Sequence, residues 1–281
     1  MTAFLFPGQG STTPDMRDQV AALRPDLLDA VAEAVGEDPF PRADESTRFG
    51  QPAILVTTLA RWSALADRHG EAECLLGHSL GELSALAAAG SIGERQALEL
   101  VAIRAALMDD AGAPGDGMLA VVGGEIDDVR RIAAAHGVAV ANDNSPGQVV
   151  LAGHGDDLDA AAAAAKEAGL RTIRLNVTGA FHSPRMAAAQ APWDEALARV
   201  EFAPPAIPVL SCLTGEPIED PRAALSAGLT NPVRFRESLL ALAARGVTGF
   251  AEVGPGKVLL GLARRTLPDA EVSVAEVAQL V

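Results

Sequence analysis

Cys74-Leu75-Leu76-Gly77-His78-Ser79-Leu80-Gly81-Glu82-Leu83-Ser84-Ala85-Leu86 is the stretch on which the fold turns. An apolar run of strand type passes through Gly-x-Ser-x-Gly into a run of helix formers, which is the layout of a nucleophile elbow. On so sharp a turn the residues two positions either side of the serine can carry no side chain, and glycine stands at both. Ser79 is therefore expected exposed at the top of a sheet. The Leu80 N–H would face the same space, where it and the positive end of the following helix can stabilise an oxyanion. This geometry suits acyl transfer. The plainer alternative is a tight turn with a capping serine, and the strand before and helix after favour the elbow.

Outward from the elbow, strand and helix signals alternate. Residues 3–6 read as a strand, 17–35 as a helix, 36–50 as a polar connection containing prolines, 52–69 as a long helix and 95–108 as another. Alternation of this kind predicts a parallel sheet with helices on both faces. From residue 117 the order changes to strand 118–122, helix 127–135, strands 138–141 and 148–152, an Ala-rich helix 157–168 and strand 172–177. That β-α-β-β-α-β order is the split ferredoxin-like unit. A helix over 185–200, a strand over 207–211, a helix after Asn231-Pro232-Val233, a strand over 250–253 and a last helix from Lys257 resume the first pattern. The predicted fold class is α/β, with an α/β-hydrolase-like large subdomain (1–116 and 178–281) and an inserted ferredoxin-like small subdomain (117–177).

The chain of 281 residues, 49% of them hydrophobic, can bury a core of that size. Its net charge of −15 and the lack of any Lys/Arg block argue against nucleic acid as a partner. No apolar stretch reaches membrane-spanning length, and Met1 to Pro7 lacks the layout of a secretory signal, so a cytoplasmic protein is expected. Cys74 and Cys212 sit in apolar surroundings and read as reduced, buried thiols. Two cysteines and five histidines with no close-spaced ligand pair give no basis for a structural metal site.

A serine needs a base. His78 adjoins Ser79, but neighbouring side chains diverge on a sharp turn, so packing beneath the loop is its expected role. His69, His136 and His154 fall at a helix end or beside glycines, where solvation is the default. His182 lies in Gly179-Ala180-Phe181-His182-Ser183-Pro184, where the chain leaves the small subdomain, and a loop at such a boundary suits a site. Its structural alternative stays open at this point. Gly8-Gln9-Gly10-Ser11 follows the first strand and could bring a second N–H toward the oxyanion. Arg104 shares a helix face with Ala97, Leu100, Val101, Leu107 and Met108, so a guanidinium interrupts an apolar stripe. Either its stem snorkels to water or its planar fork meets a carboxylate.

These segments, together with Asn142-Asp143-Asn144-Ser145-Pro146-Gly147-Gln148, Asn231-Pro232-Val233 and Glu252-Val253-Gly254-Pro255-Gly256-Lys257, occur in an order and spacing that resembles the malonyl-CoA:acyl-carrier-protein transacylase family, including polyketide acyltransferases. The resemblance covers nearly the whole chain. It implies that Ser79 is acylated, that His182 is the base, and that the N–H groups of Gln9 and Leu80 form the oxyanion hole. It further implies that Arg104 holds the free carboxylate of a malonyl-type group, with Phe181 resembling the version associated with malonyl. The histidine's partner would be a backbone carbonyl near the Gly254-Pro255-Gly256 turn, with Arg245 beside it where glutamine is common. Thr12 and the short 36–50 segment depart from the family pattern.

Malonyl-CoA and an acyl carrier protein are then the expected partners, with no metal or bound cofactor, since CoA thioester and phosphopantetheine are substrates. Arg174, Arg185, Arg234, Arg236 and Lys257 are candidates for a basic carrier-docking patch. Three alternatives accompany this reading: an editing-type acyl-thioester hydrolase, a trans-acting acyltransferase for another acyl unit, and a catalytically idle carrier-docking module.

Overall fold

Ala3-Phe4-Leu5-Phe6 is apolar at every position, and all four side chains are buried, as a parallel strand covered on both faces requires. A computed structural model describes residues 1–277. The chain opens with β1 (Thr2–Phe6), α1 (Met16–Leu23), α2 (Asp26–Val35), α3 (Thr47–Ala64), β2 (Ala72–Gly77), α4 (Leu80–Ala88) and α5 (Glu94–Asp110). It continues through β3 (Asp116–Val122), α6 (Ile126–Ala135), β4 (Ala139–Ser145), β5 (Gln148–His154), α7 (Gly155–Glu167) and β6 (Arg171–Arg174). The last part comprises α8 (Ala187–Ala198), β7 (Val209–Leu210), α9 (Pro221–Ala227), α10 (Phe235–Ala244), β8 (Gly249–Glu252), α11 (Val258–Thr266) and β9 (Glu271–Val274).

The large sheet is parallel, in the order β7-β2-β1-β8-β9. Phe6 is level with Gly77, so the loops leaving β1 and β2 meet at the carboxyl edge, where open α/β sheets bind ligands. Beside this sheet, α3 is buried nearly all round from Phe49 to Trp62, which explains its weak amphipathic pattern. The small sheet is antiparallel in the order β4-β5-β3-β6, the ferredoxin-like arrangement. One of its faces, with Leu119, Val121, Val149 and Leu151, packs under α6 and α7. The opposite face, with Met118, Ala120 and Val150, joins the main core.

Several boundaries differ from the sequence reading. The expected helix over 17–35 is two helices, because Pro25 interrupts the backbone between Leu23 and Asp26. The long helix starts five residues before Pro52 and ends at Ala64, giving way to a 3₁₀ segment, Ala66–Glu71. The expected strand over 172–177 ends at Arg174. Helix α9 and strand β9 were not expected at all; α9 is seven residues long and β9 is an exposed edge, so neither carries a strong periodic signal.

Candidate active site

Ser79 sits between β2 and α4 with φ 54° and ψ −110°, a conformation strained for a residue with a Cβ. The flanking glycines make it possible. A Cβ on Gly77 would lie 2.1 Å from the Glu82 nitrogen, and one on Gly81 would lie 2.0 Å from the Phe6 carbonyl oxygen. The elbow is thus pressed against the end of β1.

Ser79 Oγ lies 2.7 Å from His182 Nε2, and His182 Nδ1 lies 2.9 Å from the Gly228 carbonyl oxygen. A carbonyl only accepts, so Nδ1 carries the proton and Nε2 is left to accept from the serine hydroxyl. His182 is itself left-handed, at φ 56°, and buried. Burial first, then the Arg104 cation and His78, lowers its pKa to about 3, which keeps the imidazole neutral. The histidine's partner is a correction to the expectation drawn from the resemblance. The turn at Gly254-Pro255-Gly256 follows β8, beyond β1, and packs on Pro7 and Ser11, whereas Gly228 ends α9. Arg245 likewise stands elsewhere, ion-paired with Glu216.

Arg104 is 4% exposed, so snorkelling does not occur. Its Nη1 donates to Gln51 Oε1 at 2.6 Å and its Nη2 to Ser79 Oγ at 3.2 Å. Among the described residues it makes no ion pair, since Glu82, the nearest acid by its effect, instead accepts from the Cys212 N–H at 2.6 Å. Burial lowers the guanidinium pKa to about 10 and raises that of Glu82 to about 7. A charged fork beside the nucleophile with no carboxylate on it is arranged to take an anion.

Gln51 escaped the sequence reading. It is a buried amide on α3, one position before the expected helix start at Pro52, and its only signal is a polar residue inside an otherwise buried helix. The Gly228 carbonyl has no sequence signature. Asn144 also enters, its Oδ1 2.7 Å from His78 Nε2, while Phe235 meets the His78 ring edge-on. His78 therefore links the elbow to β4 rather than merely packing beneath it. His69 is half-buried, stacked on Trp62 at 3.9 Å with its Nε2 2.9 Å from the Trp62 carbonyl oxygen.

A cavity of about 510 Å³ opens over the serine, lined among others by Gln9, Leu80, Asn144, Phe181 and His182. Phe181 is buried with its ring against Gly179, where a Cβ would lie 2.4 Å from the ring. Among the described residues, neither the Gln9 nor the Leu80 N–H donates to a backbone carbonyl, so both are free for a ligand.

An activated serine on an α/β elbow, with a buried cation beside it, marks an enzyme of the acyl-transfer class. The chain belongs to the acyl transferase domain family, whose pattern it matches over residues 3–281. It is 38% identical to the malonyl CoA-acyl carrier protein transacylase of Escherichia coli K12, over 94% of this chain and 92% of that protein. It is 36% identical, over 95% of its length, to the polyketide biosynthesis protein ThaF of Burkholderia thailandensis, but spans only 24% of that much longer protein. A solved complex of a type II polyketide-synthase acyl carrier protein with its malonyl-transacylase superposes with a TM-score of 0.92 at 32% identity, covering 99% of this chain and 97% of that one.

Proposed function

We propose that the protein moves a malonyl group from malonyl-CoA, through an ester on Ser79, to the phosphopantetheine thiol of an acyl carrier protein, in fatty-acid or polyketide synthesis. The observation that carries the malonyl assignment is the buried, carboxylate-free guanidinium of Arg104 beside the nucleophile. The names of the relatives point the same way.

In the first half-reaction Ser79 Oγ attacks the thioester carbonyl carbon while His182 Nε2 takes the hydroxyl proton. The new C–O bond gives a tetrahedral oxyanion facing the N–H groups of Gln9 and Leu80, each worth about 3 kcal/mol of barrier. As the C–S bond breaks, His182 returns the proton to the departing CoA sulfur. The carrier's thiol then attacks the malonyl ester by the same steps, giving its proton to His182, which passes it to Ser79. Arg104 holds the distal carboxylate and Phe181 bounds the acyl pocket. No cofactor enters this scheme, and CoA and phosphopantetheine are substrates. The reading divides the chain at 116/117 and 177/178, with the site between the two parts, and places the enzyme in the cytoplasm. Among the described residues no helix is long and apolar enough to cross a membrane.

Incubation with radiolabelled malonyl-CoA tests the reading. Label retained on the protein and passed to a holo carrier supports it. Free malonate would indicate an editing hydrolase, and no label would leave a docking module.

A further inference from the structure

Resting on the carrier-dependent reading above, we infer that the outer half of β6 is the landing surface for the carrier protein, with Arg171 and Ile173 as its contact residues. Strand β6 is an edge, paired only with β3. Ile173 lies opposite Ala120 and Arg171 opposite Val122, and Ala120 lies opposite Val150 on the next strand. Side chains alternate along a strand, so Arg171, Ile173 and Leu175 share one face. It is the face of Met118 and Val150, which line the active-site cavity, as does Leu175 itself. The strip Leu175, Ile173, Arg171 thus continues the cavity wall outward, and Arg171 lies about 13 Å along the strand from Leu175.

Two features make this strip unlike ordinary surface. Ile173 is 55% exposed, one of few large apolar side chains so open to solvent. Arg171 is exposed and, among the described residues, has neither an ion pair nor a hydrogen bond. In a chain of net charge −15 most cations are committed. Of the five suspected from the sequence, Arg174 pairs with Asp159, Arg185 with Asp116, Arg234 with Glu237 and Arg236 with Asp143. Among the described residues Lys257 has no side-chain partner, but it lies beside Gly256, which packs on Ser11 rather than on β6. The mouth is also polarised, since Asp44 and Glu45 line the wall that includes Thr12. The carrier brings a phosphodiester at the root of its pantetheine arm. That anion is repelled from the Asp44 side and attracted to Arg171, while Ile173 offers an apolar contact to the protein around it.

Steady-state transfer by Arg171→Glu and Ile173→Ser, with holo carrier, free pantetheine and malonyl-CoA varied in turn, tests the inference. Arg265→Glu, whose guanidinium bonds only its own helix at Gly261, controls for net charge. The inference predicts a KM for holo carrier raised about tenfold by Arg171→Glu and less by Ile173→Ser. It also predicts a weaker salt dependence in Arg171→Glu and unchanged values for pantetheine. An unchanged carrier KM would overturn it. So would an equal rise for malonyl-CoA, which would assign Arg171 to the CoA phosphates, or an equal loss with pantetheine, which would mean a distorted site. Failure of the wild-type protein to be acylated would count instead against the functional reading.

Discussion

In the proposed function Arg104 sets which acyl group Ser79 accepts. Its Nη1 donates to Gln51 and its Nη2 to Ser79 Oγ, which fixes the guanidinium beside the nucleophile. Arg104→Ala removes the counter-ion of a charged acyl group in a largely dry pocket, and kcat/KM for malonyl-CoA should fall by the equivalent of about 2 to 5 kcal/mol. Acetyl-CoA has no carboxylate to lose and should be affected little. Comparing both donors in both proteins isolates the interaction, and equal losses would make Arg104 structural. His182→Ala should slow acylation by about 10²- to 10⁴-fold. Its lowered pKa gives a second check, because the neutral, proton-accepting form persists as the pH falls until about 3 is approached. Single-turnover acylation should therefore show no acid limb between about pH 7 and pH 5, where a histidine of ordinary pKa near 6.5 becomes protonated. A limb centred near 6.5 would contradict the buried neutral imidazole.

At the scale of elements, two glycines separate close approach from backbone freedom. Gly81→Ala forces a Cβ to within 2.0 Å of the Phe6 carbonyl, where neither β1 nor α4 can yield without moving the elbow. A loss of about 3 kcal/mol or more, with acylation lost as well, is expected. Gly36, which ends α2 at φ 92° with nothing within 4 Å, should cost only about 1 to 2 kcal/mol on mutation to alanine and leave activity intact. Equal melting-temperature shifts for the two would refute the distinction. These elements were legible in the sequence to unequal degrees. The elbow was readable because its glycines, apolar strand and helix formers agree locally. Residues 17–35 mislead because an apolar period runs through Pro25, and 52–69 because a helix buried on all sides has no clear amphipathic period to mark its ends.

The whole molecule holds its site by tying β4 of the small sheet to the segment that enters α10. Val233 bridges to Asn142, with the Asp143 N–H donating to the Val233 carbonyl and the Val233 N–H to that of Ala141, both at 2.8 Å. Arg236 adds a two-pronged bond to the buried Asp143 carboxylate, at 2.7 and 2.9 Å. Arg236→Met keeps the stem but strands that carboxylate, and a loss of about 3 kcal/mol in chemical denaturation is expected; a shift within experimental error would show the tie to be dispensable. Such long-range links explain what the sequence could not disclose. Ser79, His182 and Arg104 stand out by residue type and local pattern, whereas the Gly228 carbonyl and the Gln51 amide acquire their roles only once α9 and α3 are placed around the elbow. The central claim is that Ser79 carries the acyl group between donor and carrier. Peptide mass spectrometry after brief exposure to malonyl-CoA tests it most directly: the account predicts a malonyl adduct on the peptide containing Ser79 and none in Ser79→Ala, and an adduct on any other residue, or one that survives the substitution, would contradict it.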